Sequence, residues 1–197
     1  KLEKLAGGKI DTSKTLAKEI WEKLARACSQ MRKEQFQELV GELENSANGI
    51  LREMTEGNDS ARGLLRLQTQ GGKSCAPEIV DKDGNTRVGA NDAFLQLTRL
   101  AIIMAILTMR NKWSDNYSLV ADAPTSKMAE GLSNGFYTAL SSKFTQSIVI
   151  TYDFLKEEQR DFLQTINTGA IYRIRPTTGG VREDLTRLSI DIEEISL

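Results

Sequence analysis

Residues 117–128, YSLVADAPTSKM, contain the pattern that decides the fold of this chain. Residues 117–121 form a short, largely apolar run, which predicts a buried strand. Asp122 follows directly, so its carboxylate would lie at the edge of a sheet, where it can hold Mg²⁺ or its waters beside a nucleotide. A buried strand whose last residue, Asp122, caps the next helix explains the same residues equally well.

The segments after this stretch alternate between predicted helices and strands. Residues 127–140 and 157–166 have helical patterns, residues 146–151 and 170–175 have strand patterns, and residues 177–180 form a turn before a closing strand at 188–195. Short apolar strands that alternate with helices indicate a parallel sheet with flanking helices. We therefore predict an α/β fold.

The first 55 residues are predicted to form a helical arm, separate from a domain at 56–197. One apolar face recurs at steps of three and four residues: Leu16, Ile20, Leu24, Cys28, Met31, then Phe36, Val40, Leu43, Ala47, Ile50 and Met54. The second set has heptad spacing. Two interpretations remain open, namely the root of a coiled coil and an amphipathic helix packed on its own domain.

A small β meander and a long helix are predicted between the arm and residue 117. Residues 65–69 alternate as a strand, and residues 79–80 and 86–88 flank the tight-turn sequence DGN at 83–85. Asn91 then caps a helix that runs to about Asn111. Its middle is apolar on every side, so we expect this helix to be buried on all faces.

Residues 71–74, GGKS, resemble the end of a phosphate-binding P-loop. That motif requires a glycine at the position of Leu67 and a helix immediately after the loop, whereas predicted strands flank this segment. A hairpin turn is the better interpretation. We therefore expect no P-loop in this sequence, and no tight ATP binding by this chain alone.

Composition excludes several classes of chemistry. The chain has no histidine, so triads and metal sites that depend on imidazole are excluded. Cys28 and Cys75 are far apart, which argues against a zinc site or a disulfide and fits a reducing cytoplasm. The formal net charge of -1 gives no global attraction to nucleic acid. The apolar stretch at 100–109 is about half a bilayer crossing, so we expect a cytoplasmic protein without a membrane partner.

Three motifs, in order, resemble the C-terminal half of the ATPase head of SMC-like and ABC-type coiled-coil proteins. The family's strand ending in Asp-Glu-Pro corresponds to residues 122–124, DAP. Its signature loop, which opens a long apolar helix, corresponds to residues 88–92, VGAND. Its later strand ending in Thr-His-Asp corresponds to residues 151–153, TYD. The resemblance runs from about residue 36 through nearly all of the remaining chain.

The resemblance implies ATP and Mg²⁺ as cofactors, and a role for each matching residue. Asp122 and Tyr152 would be the catalytic residues, with Asp122 also the metal residue that serves Mg²⁺ and Tyr152 near the γ-phosphate. The nucleotide-binding residues would be Gly89, Ala90, Asn91 and Asp92, facing the γ-phosphate of an opposing head, with Thr125 and Ser126 at the dimer interface.

The chain also departs from the family pattern. Ala123 stands where the family has its catalytic glutamate, and Tyr152 stands at the switch histidine. Similar losses occur in ATPases of bacterial DNA-modification and phage-defence systems, which the chain also resembles. Any ATPase activity would then be slow.

The resemblance implies the C-terminal part of an SMC-like ATPase that acts on DNA, in repair or anti-phage defence, through ATP-dependent head dimerisation. Its partners would be an N-terminal P-loop half, a second head in a homodimer, and DNA. Two alternatives from other classes are a catalytically degenerate scaffold or interaction module with the same fold, and an unrelated α/β binding domain.

Overall fold

The computed structural model describes residues 12–58, 63–71, 74–81, 83–87, 89, 91–111, 118–152, 157–166, 168–176 and 190–195. Within them the elements are α1 (Thr12–Met54), β1 (Leu64–Gln70), β2 (Ser74–Val80), α2 (Asp92–Asn111), β3 (Leu119–Asp122), α3 (Glu130–Lys143), β4 (Ser147–Ile150), α4 (Glu157–Thr165), β5 (Ile171–Pro176) and β6 (Ile190–Ile195). The predicted turn at 177–180 lies outside the described residues.

The strands of the described residues form three pairs. β3 and β4 pair in parallel, with Asp122 opposite Ile150, and α3 supplies the crossover that a parallel pair needs. β1 pairs with β2, and β5 with β6, in antiparallel hairpins. The predicted α/β fold with a parallel sheet is therefore confirmed.

The segment GGKS connects the two strands of a hairpin. β1 and β2 pair from Leu64 opposite Val80 to Gln70 opposite Ser74. Gly71 has a φ of +61°, a left-handed conformation that glycine adopts without steric cost. The hairpin interpretation of this segment is confirmed.

The third strand of the predicted meander is much shorter than expected. The turn at 83–85 forms, since the Asp81 carboxylate accepts hydrogen bonds from the N–H groups of Asp83 and Asn85, both at 2.9 Å. The returning chain then makes a single bridge, Val80 to Thr86. Among the described residues the returning chain makes no other bridge, and α2 begins soon after at Asp92, with Asn91 as its cap.

The C-terminal part of α1 is anchored to β1 by side chains that imitate a neighbouring strand. The amide of Asn48 donates to the Leu65 carbonyl at 2.7 Å and accepts from the Leu65 N–H at 2.8 Å. The Glu44 carboxylate accepts from the Leu67 N–H at 2.6 Å. These bonds satisfy backbone groups on the edge of β1 that does not pair with β2. Helix and hairpin are therefore held together by directional contacts.

The end of α1 is in close contact with α3. A Cβ atom at Gly135 would lie only 2.1 Å from the Met54 carbonyl oxygen, so the approach requires glycine. Lys143 forms a 2.8 Å ion pair with Glu53, and the Ser142 hydroxyl donates to the same carboxylate at 2.6 Å. Burial alone would raise the pKa of Glu53, but the Lys143 and Ser142 hydrogen bonds and the Lys143 charge outweigh it and lower the pKa.

The expectation that α2 is buried on all faces is wrong. One face packs in the core through Phe94, Leu97, Ala101, Met104 and Ala105. On the opposite side Ile103 and Ile106 are 47% and 44% exposed. The middle of α2 is apolar on every side, but α1 and α3 cover only one side of the helix.

The apolar part of α2 is also longer than the ten-residue stretch suggested. Its 18 residues at 92–109 have a mean hydropathy of 1.5 and could cross a membrane by length and composition, while a third of that stretch is buried inside the protein. Apolar core helices have the same length and composition, and one face of α2 packs against α1 and α3.

The strands β3 and β4 are not fully buried, contrary to prediction. Leu119 packs inward, whereas Val120, Ile148 and Ile150 are exposed, with Val120 at 64%. Parallel strands are normally covered on both faces, because the residues on both faces are apolar. The apolar outer face of this pair is therefore uncovered within the described residues.

Candidate functional site

Asp122 and Tyr152 lie at the same edge of the parallel pair. Asp122 is the last residue of β3, and Tyr152 follows two residues after the end of β4. Both side chains are exposed, Tyr152 by 82%. The carboxyl ends of parallel strands are where α/β folds bind ligands, so two of the predicted site residues share this edge.

The alternative role of Asp122 as a helix cap is wrong. The N-cap residue of α3 is Ala129, and no side chain caps this helix end. Asp122 lies seven residues earlier, and its side chain makes no hydrogen bond or ion pair with the other described residues. No residue in the part of the chain that the structure describes therefore binds its carboxylate.

Ala123, at the position of the family's glutamate, has an unusual backbone conformation. Its φ of +44° lies in the left-handed region, which costs a residue with a side chain about 1–2 kcal/mol. Its N–H donates a 2.7 Å hydrogen bond to the Ile150 carbonyl, which extends the β3–β4 pairing by one residue. That bond and the burial of Pro124 hold the chain in this conformation.

Asn91 is the N-cap of α2, as predicted. Its Oδ1 accepts a 2.8 Å hydrogen bond from the Phe94 N–H, and its carbonyl accepts from the Leu95 N–H. The remaining N–H groups of a helix's first turn, with the helix dipole, favour an anion.

Gly89 is exposed and has a φ of +84°. Ala90 lies outside the described residues.

Two contacts bring the first turns of α2 to the loop that follows Asp122. The Gln96 amide Nε2 donates a 2.6 Å hydrogen bond to the Pro124 carbonyl. Asp92 forms a 3.7 Å ion pair with Lys127. The predicted signature segment and the predicted metal-binding segment are therefore adjacent, although they are distant in sequence.

Thr125 and Ser126 have different surroundings. Thr125 is 1% exposed, and its hydroxyl lies 3.2 Å from the Tyr137 hydroxyl in a buried hydrogen bond. A side chain in that position holds the loop to α3, which weighs against the interface role predicted for it. Ser126 is exposed and available to a second chain.

Sequence reasoning missed Gln96 and Lys127. Both act through partners far away in sequence, so periodicity gives no direct signal for them. A weak signal existed for Gln96, since it is an amide side chain one turn after the N-cap of an otherwise apolar helix.

The donor set at this edge fits a magnesium ion only in part. Among the described residues no group of three or more acidic or cysteine side chains is placed to hold a metal ion, so Asp122 would supply a single carboxylate. Mg²⁺ is commonly held by one or two carboxylates together with substrate phosphates and waters. Two depressions of about 380 and 340 Å³ lie along α1, and neither is lined by a site residue.

Comparisons with known proteins identify the fold. No protein-family profile and no curated protein matches the sequence. A chain from a structural study of ATP-driven dimerization and DNA-stimulated activation of SMC ATPases is similar, with 18% identity and a TM-score of 0.56 over 83% of this chain and 89% of that one.

Two further head structures are similar in the same way. An SmcHead bound to the C-winged helix domain of ScpA has 17% identity and a TM-score of 0.56, over 82% of this chain and 44% of that one. An Smc head domain with an extended coiled coil, bound to the C-terminal domain of ScpA and derived from Pyrococcus furiosus, has 16% identity and a TM-score of 0.58, over 89% and 40%. The chain has the α/β fold of SMC head domains, and it spans less than half of these two heads.

Proposed function

We propose that this chain is the C-terminal lobe of an SMC-like ATPase head, which binds Mg-ATP only together with an N-terminal P-loop half. The observation that carries the proposal is the contact between two predicted site segments. Gln96 joins the first turns of α2 to the loop after Asp122, at the carboxyl edge of β3 and β4. In a fold of the SMC-head type, this juxtaposition supports a surface that contacts the chain's own nucleotide through Asp122 and the nucleotide of a second head through the first turn of α2.

A partner half is supported by the surfaces that the chain leaves open. Val120, Ile148 and Ile150 expose an apolar sheet face, and Ile103 and Ile106 expose an apolar helix face. Burying such surface is favourable by about 25 cal/mol per Å² of apolar area. We propose that the P-loop half covers one or both faces.

In this proposal each residue has one task. Asp122 holds Mg²⁺ on the nucleotide of its own head. Gly89, Ala90, Asn91 and Asp92 face the γ-phosphate on a second head, with Ser126 at the interface and Tyr152 near the γ-phosphate. Bound ATP supplies the phosphates that join the two heads. The dimer forms in the cytoplasm and passes its movement through α1 to DNA, in repair or anti-phage defence.

The first test is nucleotide binding by the full-length protein. Asp122→Asn should weaken Mg-dependent ATP binding by about ten-fold or more, because the metal loses a charged ligand. Asp161→Asn is the matched control, since Asp161 is an exposed carboxylate on α4. Titration with and without Mg²⁺ separates metal-dependent from metal-independent binding. Equal binding by wild type and Asp122→Asn would contradict the assignment of Asp122.

The second test concerns hydrolysis. Ala123 has no group to position or deprotonate water, and a positioned general base usually contributes about 10²–10⁴ in rate. We expect slow steady-state phosphate release with DNA present, and a faster rate for Ala123→Glu with nearly unchanged ATP binding. Wild-type turnover on the order of tens per second, unaffected by Asp122→Asn, would place the active carboxylate elsewhere.

A second candidate function is a catalytically degenerate scaffold or interaction module. The absence of an acid at Ala123 and the exposed Tyr152 at the switch position favour it. The binding titration separates the two, because a scaffold of this kind would bind partners without any Mg-ATP dependence.

A further inference from the structure

Gln96 is the strongest connection between the two halves of the candidate site. Its Nε2 donates a 2.6 Å hydrogen bond to the Pro124 carbonyl, two residues after Asp122. The neighbouring ion pair between Asp92 and Lys127 has side chains 77% and 63% exposed, so it contributes little. The half-buried amide of Gln96 is the contact on which the connection depends.

The Pro124 carbonyl needs this partner. Pro124 is buried, and proline has no N–H, so the carbonyl is its only polar backbone group. A buried carbonyl without a hydrogen bond is costly, and the Gln96 amide satisfies it. The loop on either side is already fixed, by the Ala123 N–H bonded to Ile150 and by buried Thr125 beside Tyr137.

We propose that Gln96 is a positioning residue that makes the first turn of α2 and the loop after Asp122 move as one unit. The inference rests on the proposed function, in which a chain contacts its own nucleotide through Asp122 and the nucleotide of a second head through the first turn of α2. Gln96 then links the two contacts, so that loosening the first turn of α2 also loosens the loop that positions Asp122.

A double-mutant cycle in the full-length protein tests this. The measurement is the Mg²⁺ concentration for half-maximal binding of a fluorescent ATP analogue, at protein concentrations too low for head dimers. In that monomer Asn91 contacts no nucleotide, so Asn91→Ala can act only through the chain, by loosening the first turn of α2.

The expected result is a non-additive cycle. Asn91→Ala should raise the required Mg²⁺ concentration by about five-fold when Gln96 is present, an effect the size of one hydrogen bond. In the Gln96→Met background, Asn91→Ala should have no further effect. Additive effects would overturn the proposal, because residues that stabilise the fold independently add.

Two further variants keep the test decisive. Gln96→Glu preserves the shape of the side chain but loses the N–H donor, so it should match Gln96→Met. If the melting temperature shows that Gln96→Met is unfolded, Gln96→Glu takes its place in the cycle. Gln37→Met, at an exposed position of α1, should behave as wild type. Wild-type protein without Mg-dependent binding would refute the proposed function, whereas normal binding with an additive cycle would refute only the role of Gln96.

Discussion

The two halves of α1 have similar apolar spacing and opposite surroundings. In the C-terminal half Val40, Ala47, Ile50, Leu51 and Met54 are buried in the core. In the N-terminal half Leu16, Ile20, Leu24 and Met31 recur at similar steps and are exposed. Periodicity therefore identifies the face of a helix that favours contact, and it does not say whether this chain supplies the contact. The predictions below test how sharply the two halves differ.

The largest effect is expected where α1 ends against α3. Gly135→Val would push a side chain into the Met54 carbonyl, since even a Cβ would lie 2.1 Å from it. Backbone atoms cannot move aside cheaply, so we expect a loss of about 4 kcal/mol or more in the free energy of unfolding. Gly131→Val, on the same helix with open space around it, should change stability by less than about 1 kcal/mol. Denaturant unfolding of both variants gives the comparison directly.

A pair of methionines measures the contrast within α1. Met54 is 1% exposed and Met31 is 58% exposed. Met54→Ala should cost about 3 kcal/mol, because it leaves a cavity, whereas Met31→Ala should stay within about 0.5 kcal/mol. Thermal and denaturant unfolding of this chain measure both values. A cost of several kcal/mol for Met31→Ala would mean that the N-terminal half of α1 is covered as well.

The anchoring of α1 to β1 should contribute less. Asn48→Ala removes both hydrogen bonds to the Leu65 backbone and leaves two half-buried polar groups unsatisfied. We expect a loss of about 2 kcal/mol. Asn45→Ala is the control, because Asn45 is an exposed residue on the same helix. Faster hydrogen exchange of the Leu65 amide in Asn48→Ala alone would locate the loss at this contact.

The smallest effect concerns Glu53 and depends on pH. The pKa of Glu53 is lowered from its usual 4.5, so the charged form is favoured in the folded state. Its contribution is therefore complete above that value and is lost as the pH falls through the lowered folded pKa. Glu53→Gln should cost less than about 1 kcal/mol at neutral pH, since the pair is partly solvated, and the cost should disappear in acid.

A series of unfolding experiments over pH checks the sign for Glu53. The control is Glu56→Gln, at an exposed glutamate just beyond the end of α1. A difference between wild type and Glu53→Gln that grows as the pH falls would contradict the assignment.

The sequence predicts the elements of the fold better than their exposure. The single long α1, the cap at Asn91, the hairpin at GGKS and the parallel pair are all present, because each depends on local chemistry or on short-range pattern. The outward faces of α2 and β3 were expected to be buried and are exposed. Apolar periodicity is the same for a face that packs against its own chain and for a face that packs against another chain, so it does not predict exposure.

The candidate site was predictable in part for the same reason. Asp122 could be assigned to a strand end and Asn91 to a helix start, since both are features of single elements. The burial of Thr125 and the bond from Gln96 to Pro124 depend on how α2 and α3 pack against one loop. The left-handed backbone at Ala123 likewise follows from its tertiary contacts and not from its residue type.

The parallel pairing of β3 and β4 has a consequence for production of the protein in cells. The two strands meet only after the whole of α3 has been synthesised between them, and such non-local pairing slows folding. In the interval, and afterwards on the outer face, Val120, Ile148 and Ile150 present apolar strand surface to other chains. Surfaces of this kind promote aggregation. We therefore expect the yield of soluble chain to rise when a segment that covers this sheet is co-expressed, and to respond to chaperone levels when it is not.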